Sequence, residues 1–239
     1  MDTNELLKMS FDKMGISLTD EMCLSFHKYS RLLREWNEVM NLTAITDEDE
    51  IILKHFADSA SVLSYMDIPK NATAIDIGTG AGFPGLPVKI VRPDIKMTLV
   101  DSLNKRVNFL KTVCDEISLE NVECIHARAE ELSRKSDKRE SFDYCLSRAV
   151  AALNVLAEYC LPFVKVGGYL AALKGPNAYK EIEEGKKAID VLGGKLVEVK
   201  EIEIPYTDLK HTLVVIEKNK STPSVYPRKG ASISKKPIK

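Results

Sequence analysis

The chain has 239 residues, 44% of them hydrophobic and 29% charged, with a formal net charge of −1. That size admits one large α/β domain with an appendage, or two small domains, and the apolar content excludes a globally disordered chain. No apolar run reaches the ~18 residues of a membrane-spanning helix, and the polar opening MDTNELLKMS does not read as a signal peptide.

Residues 1–67 read as a helical appendage. Thr19 suits an N-cap, with Asp20 and Glu21 at the positive end of the helix dipole. Met22, Phe26, Tyr29, Leu33, Trp36 and Met40 then recur at alternating steps of four and three, the stripe of a packed helix face. Trp36, the only tryptophan, reads as an anchor onto the core. Asn37 and Asn41 break the helix with cap-forming side chains. Asp47 opens a further helical stretch holding Lys54, His55 and Asp58. His55 and Asp58, three apart, share a helix face, a spacing that suits a structural contact or an acid–base pair. After Pro69-Lys70-Asn71 no flexible linker follows, so this region is expected to pack on what comes next.

The stretch ATAIDIGTGAGFPGLPVKIVRPDIKMTLVDSLNKR, at 72–106, reads as strand, glycine loop, helix and second strand. A strand over 72–77 carries Asp76 near its carboxyl end. Gly78, Gly80 and Gly82 follow at alternate positions, then Gly85, so the backbone can approach a ligand closely. Pro84 and Pro87 suit the first turn of a helix reaching 91. A strand over 96–100 carries Asp101 at its carboxyl end. Doubly wound sheets bind nucleosides in this geometry, with the acidic residue accepting hydrogen bonds from ribose hydroxyls. The glycine spacing fits a dinucleotide fingerprint imperfectly, because Gly80 to Gly85 is too long. Asp76 before the loop also suits S-adenosylmethionine sites, where a carboxylate faces the cationic methionine end.

The alternation continues with a helix over 103–117, strands over 122–127 and 141–147, and a helix over 150–164. A strand over 168–173 and a helix over 179–192 follow, then apolar alternating segments at 195–204 and 211–218. Strands alternating with helices imply a parallel sheet covered on both faces. The hairpin-length connection at 205–210 turns the last strand antiparallel. The expected division is an appendage at 1–67, a core at 68–218 and a tail at 219–239. Five cysteines without C-x-x-C spacing suit reduced, packed thiols in a cytoplasmic protein, and no metal-ligand pattern is present. From Lys218 to Lys239 there are seven basic residues and no acidic ones. A basic tail on an acidic body suits a polyanionic partner. Its composition cannot bury a core, so it is expected to lie across the surface or stay mobile.

Five runs carry a family resemblance: NLTAI at 41–45, KHFADS at 54–59, DIGTGAGFPGLP at 76–87, VDSLNKR at 100–106, and SRAVA at 147–151 with ALKG at 172–175. Together they resemble the bacterial small-subunit ribosomal RNA guanine-N7 methyltransferases, also called glucose-inhibited division protein B, over nearly the whole chain. The resemblance implies a class I methyltransferase fold (α/β, Rossmann-like), a seven-stranded and mostly parallel sheet with its last strand antiparallel. It implies S-adenosyl-L-methionine as the methyl donor and 16S ribosomal RNA or the small ribosomal subunit as partner, with the chain a monomer.

By position, the resemblance places cofactor contacts at Asp76, Gly78, Thr79, Gly80 and Phe83, at Asp101, Ser102 and Leu103, and at Ala129, Glu130 and Arg148. Arg148 and Lys174 are candidates for substrate-side electrostatics. Lys105, Arg106, Arg228, Lys229, Lys235 and Lys236 are the candidate RNA contacts. In the tail the family pattern is YPRK, a Gly-Thr-Pro-Asn turn, then KKP. Here Tyr226-Pro-Arg-Lys229 and Lys235-Lys-Pro237 stand, but Ile233 follows where that turn is preformed by proline. Methylation of N7 requires no general base, since that nitrogen carries a lone pair and no proton. The competing readings are a methyltransferase acting on a small molecule or protein, and a nucleotide-sensing RNA-binding module without turnover.

Overall fold

The computed structural model describes residues 2–239. Its N-terminal helices are α1 (Thr3–Asp12), α2 (Asp20–Met40), α3 (Glu48–Ile51) and α4 (Asp58–Ala60), the last two joined by a π-helical segment at Ile52–Ala57. Thr19 caps α2 by accepting the Met22 N–H at 3.2 Å, and Asn41 ends it in the left-handed region at φ 49°. Asp47 caps α3 by accepting the Glu50 N–H at 3.0 Å. The wider π turn breaks the regular helix that spacing alone suggests for His55 and Asp58.

The core continues as β1 (Thr73–Ile77), α5 (Gly85–Val91), β2 (Lys96–Asp101), α6 (Asn104–Glu116), β3 (Val122–His126), α7 (Ala129–Leu132) and β4 (Phe142–Arg148). Then come α8 (Leu153–Cys160), β5 (Val164–Lys174), α9 (Ala178–Val191), β6 (Gly194–Glu203), β7 (Lys210–Lys218) and α10 (Gly230–Lys235). The strands form one sheet in the order β3-β2-β1-β4-β5-β7-β6. The first five pair in parallel, and β7 runs antiparallel to both β5 and β6. The carboxyl ends of β1 to β4 therefore converge on one edge of the molecule.

Strand alternation separates two apolar layers. Ala74, Leu99 and Leu146 face a layer built with the N-terminal helices, α5 and α6, where Phe26, Tyr29, Phe56 and Phe109 are fully buried. Ile75, Ile77, Val100 and Cys145 face the opposite layer, built with α8 and α9. The N-terminal helices thus share a core with the sheet, and Trp36 packs on Phe109 with ring centroids 5.6 Å apart. Four cysteines are buried and Cys124 is half-buried; all five are free thiols. The helix expected from residue 150 starts at Leu153, because Ala149 adopts φ 55° and the segment 149–152 loops out.

The tail departs from the loose segment its composition suggests. Glu158 on α8 is fully enclosed and accepts the Arg228 backbone N–H at 2.7 Å, with guanidinium Nη2 2.7 Å from its second oxygen. Arg139 donates to the carbonyls of Thr222 at 2.8 Å and Tyr226 at 2.9 Å, and Arg134 donates to that of Pro227. Lys218 is also buried, its ammonium donating to the Leu161 and Val164 carbonyls at 2.6 and 3.0 Å. Of the seven cations from Lys218 onward, Lys218 is therefore internal and Arg228 is paired and partly buried. Ile233, where the family pattern has proline, is fully buried in α10 and donates its N–H to the Lys229 carbonyl at 3.2 Å.

Removing one partner of a buried ion pair leaves the other charge uncompensated. Arg228→Ala should cost about 3 kcal/mol, the lower end of the usual range because the guanidinium is partly exposed. Urea unfolding of both proteins measures this; equal midpoints would show that the pair does not hold the tail.

Candidate active site

A cavity of about 320 Å³ opens at the carboxyl ends of β1, β2, β3 and β4. It gathers Gly78, Asp101, Ser102, Ala129 and Glu130 from the expected cofactor set. Gly78 needs its missing side chain twice over. Its φ is 69°, and a Cβ there would stand 2.7 Å from Cγ2 of Val150. Gly85 serves a different closeness, since a Cβ would lie 2.4 Å from Leu99 and push α5 off the sheet.

Asp101 is held as an organised acceptor at the end of β2. Its Oδ1 receives the Leu103 N–H at 2.9 Å, and its Oδ2 receives the Gly80 N–H at 3.0 Å. Arg106 Nη1 stands 3.5 Å from Oδ2 and lines the same cavity. Arg106 therefore belongs to this site, where sequence position had grouped it with Lys105 for RNA. Leu103 itself is exposed and contributes its N–H.

Asp76, Thr79, Gly80 and Phe83 are not among the residues that line this cavity. Asp76 is fully buried, its Oδ2 accepting from the Thr79 hydroxyl at 2.7 Å and the Gly85 N–H at 2.8 Å. Its Oδ1 has no protein partner. Burial pushes this carboxyl up to about 7, opposed by the two hydrogen bonds and by the Arg148 charge. Phe83 sits in the aromatic layer, its ring 4.5 Å from that of His55 and 5.7 Å from that of Tyr29.

Arg148, at the end of β4, lies over Phe83 with its guanidinium carbon 4.8 Å from the ring centroid. Its Nη1 is 2.5 Å from Oδ2 of Asp58, a carboxylate with no exposure, and Asp58 Oδ1 meets His211 Nδ1 at 2.5 Å. His55 Nδ1 lies 3.2 Å from Arg148 Nη2, and its Nε2 lies 2.7 Å from the Thr43 hydroxyl. The same Nδ1 also lies 3.1 Å from the Lys54 carbonyl. Burial, reinforced by Arg148, lowers the His55 pKa to about 4 and keeps the ring neutral. Arg148 is committed to this network and lines no part of the cavity. Lys174, at the end of β5, is likewise committed, 2.6 Å from Glu181.

Comparison with known proteins places this geometry. A family model described as rRNA small subunit methyltransferase G matches residues 22–210. The chain belongs to that family. It is 52% identical over 239 residues to the ribosomal RNA small subunit methyltransferase G of Alkaliphilus metalliredigens, covering 100% of both chains. It is 50% identical over 235 residues to that of Clostridium perfringens strain SM101, covering 98% of each. Among solved structures, a SAM dependent methyltransferase from Aquifex aeolicus superposes with a TM-score of 0.53 at 20% identity, covering 74% of this chain and 96% of that one. The fibrillarin pre-rRNA processing protein of Methanococcus jannaschii gives 0.51 at 20% identity, covering 65% and 70%. The fold is that of the class I S-adenosylmethionine-dependent methyltransferases.

Sequence reasoning left out Tyr159, Arg128, Ala149 and Val150, which also line the cavity. Ala149 and Val150 lie inside the SRAVA run, so a signal existed. Tyr159 sits on α8 with nothing local to separate it from packing residues.

The raised Asp76 pKa fixes a direction of pH dependence. The folded state holds this proton more tightly than the unfolded chain, whose aspartate titrates near 4. The associated stability is complete below pH ~4 and is lost as pH rises through about 7. Asp76→Asn removes that loss, so the variant should gain on the natural protein across this window by up to about 4 kcal/mol. Parallel curves of unfolding free energy against pH would exclude the buried, perturbed carboxyl.

Proposed function

We propose that the chain transfers a methyl group from S-adenosyl-L-methionine to N7 of a guanine in 16S ribosomal RNA, acting in the cytoplasm on the RNA or the small subunit. The observation that carries this reading is Asp101, fixed by two backbone donors at the wall of a cavity in a chain of the rRNA small subunit methyltransferase G family.

The residues present fit a nucleoside carrying a cationic amino acid. The cavity's size lies within the range of small-molecule sites. Asp101 keeps acceptor capacity for a ribose diol beyond its backbone donors, and Ala129 and Glu130 close the side where an adenine would rest. The unpartnered Oδ1 of Asp76 leaves a free acceptor under the glycine loop, whose negative charge a cationic ligand would favour against the burial that raises its pKa. When bound, the cofactor supplies an electrophilic methyl group. The chain's own task is then alignment and water exclusion, since N7 has no proton to remove. Exposed Lys105, Lys229, Lys235 and Lys236 are suited to backbone phosphates, as is partly exposed Arg106, whereas Arg228 is paired with Glu158.

Two measurements test this. Asp101→Asn keeps the side chain's shape but removes its charge, and should weaken S-adenosylmethionine binding by about 1.5–3 kcal/mol in calorimetry. An RNA whose target guanine is replaced by 7-deazaguanine should still bind but accept no methyl group. Transfer to that analogue would show that another atom is the acceptor.

A further inference from the structure

We infer that Lys174 and Glu181 form a positioning pair that holds the segment 149–152 as a wall of the cofactor cavity, and that Lys174 gives no charge to RNA. The inference rests on the functional reading above only in naming the ligand of that cavity.

Lys174 is the last residue of β5 and is almost fully buried. Its ammonium lies 2.6 Å from Oε2 of Glu181 and donates to the Ala151 carbonyl at 2.6 Å. The same Glu181 oxygen, on the first turn of α9, accepts the Leu153 N–H at 2.9 Å. One ion pair thus grips the loop at a carbonyl and at an N–H two residues on. Before the loop stands Arg148, fastened to Asp58 at 2.5 Å. The segment is anchored at both ends by buried charges.

What lies between these anchors is strained and functional in position. Ala149 holds φ 55°, a left-handed conformation that is unfavourable for a non-glycine residue and persists only where the surroundings enforce it. Ala149 and Val150 both line the cavity, and Val150 lies over Gly78 so closely that no Cβ would fit beneath it. Loss of the grip lets Ala149 relax and Val150 swing away from Gly78, opening the wall. A direct electrostatic role for Lys174 needs a free ammonium facing the ligand, and this one is paired, bonded and enclosed.

The two roles give opposite results when Glu181 is neutralised. If Lys174 met RNA phosphate, Glu181→Gln would free it, and RNA binding would hold or tighten. If the pair positions the loop, Glu181→Gln must harm the cavity as Lys174→Met does. The experiment uses the full chain with K174M, E181Q, the double variant and K174R. It reads S-adenosylmethionine affinity by calorimetry, amide hydrogen exchange at Val150 and Leu153, and the salt dependence of RNA binding, with the unfolding temperature as folding control. Each single variant should weaken cofactor binding about tenfold, and the double variant no further than the weaker single, as expected of residues acting through one interaction. K174R, which still donates and pairs, should retain most of the affinity. Exchange at Leu153 should quicken in K174M and E181Q, while the salt slope stays that of the natural protein.

The proposal is overturned if the two effects multiply in the double variant, or if E181Q binds cofactor normally. It is equally overturned if K174M lowers the slope of log affinity against log salt by about 0.7–0.9, the mark of one lost phosphate contact. If the natural protein binds no S-adenosylmethionine, the functional reading fails, and unchanged exchange at Leu153 would separately sink the positioning role.

Discussion

Asp58 carries no exposed surface, and an unpaired carboxylate in such a place would cost several kcal/mol. Its two oxygens meet Arg148 and His211, each at 2.5 Å. One enclosed charge therefore joins α4 to the end of β4 and the start of β7. Phe83 packs on both the Arg148 guanidinium and the His55 ring, which also touch each other, so the glycine loop leans on the same cluster. The N-terminal helices are in this sense part of the site's frame. Their displacement would strip Arg148 of its counter-charge and the loop of its aromatic support.

The backbone was legible in the sequence wherever spacing alone decides the outcome. The stripe from Met22 to Met40, the strand–loop–helix around Gly78 and the turn at 205–210 each follow from local periodicity and turn chemistry. Side-chain direction at the strand ends was not legible in the same way. Asp101 ends β2 and Asp76 is the penultimate residue of the neighbouring β1, where the register pairs it with Leu99. Asp101 lies two positions beyond that pairing and reaches the cavity, whereas Asp76 is enclosed under the loop. Periodicity could not separate them, because the difference is set by how far each strand extends past its neighbour.

The tail shows a second limit. Seven cations without a carboxylate read as free charge, since a composition window sees only near neighbours. Glu158 is 70 residues from Arg228 in sequence, and Arg134 and Arg139 come from the body to meet tail carbonyls. The tail's apolar contribution is as informative as its charge. Ile233 replaces the proline of the family pattern and provides both the helical N–H and the buried side chain of α10.

Paired charges at the carboxyl edge also suit the chemistry proposed for it. Methylation of N7 moves one positive charge from sulfur to the guanine ring, so the reacting pair keeps the same total charge throughout. A free arginine beside the acceptor base would repel that charge at every stage, and in a water-poor site the repulsion would be weakly screened. Arg148 and Lys174 are instead neutralised by Asp58 and Glu181, at the ends of the two strands flanking the segment 149–152. They act through structure: buried pairs hold their geometry because separating them exposes an uncompensated charge. Lys105 on α6 and Lys229, Lys235 and Lys236 in the tail are exposed, as is Arg128 at the cavity. At the ends of β4 and β5 positive charge is thus rigid and neutralised, and the exposed lysines of α6 and the tail are cations free to meet a polyanion.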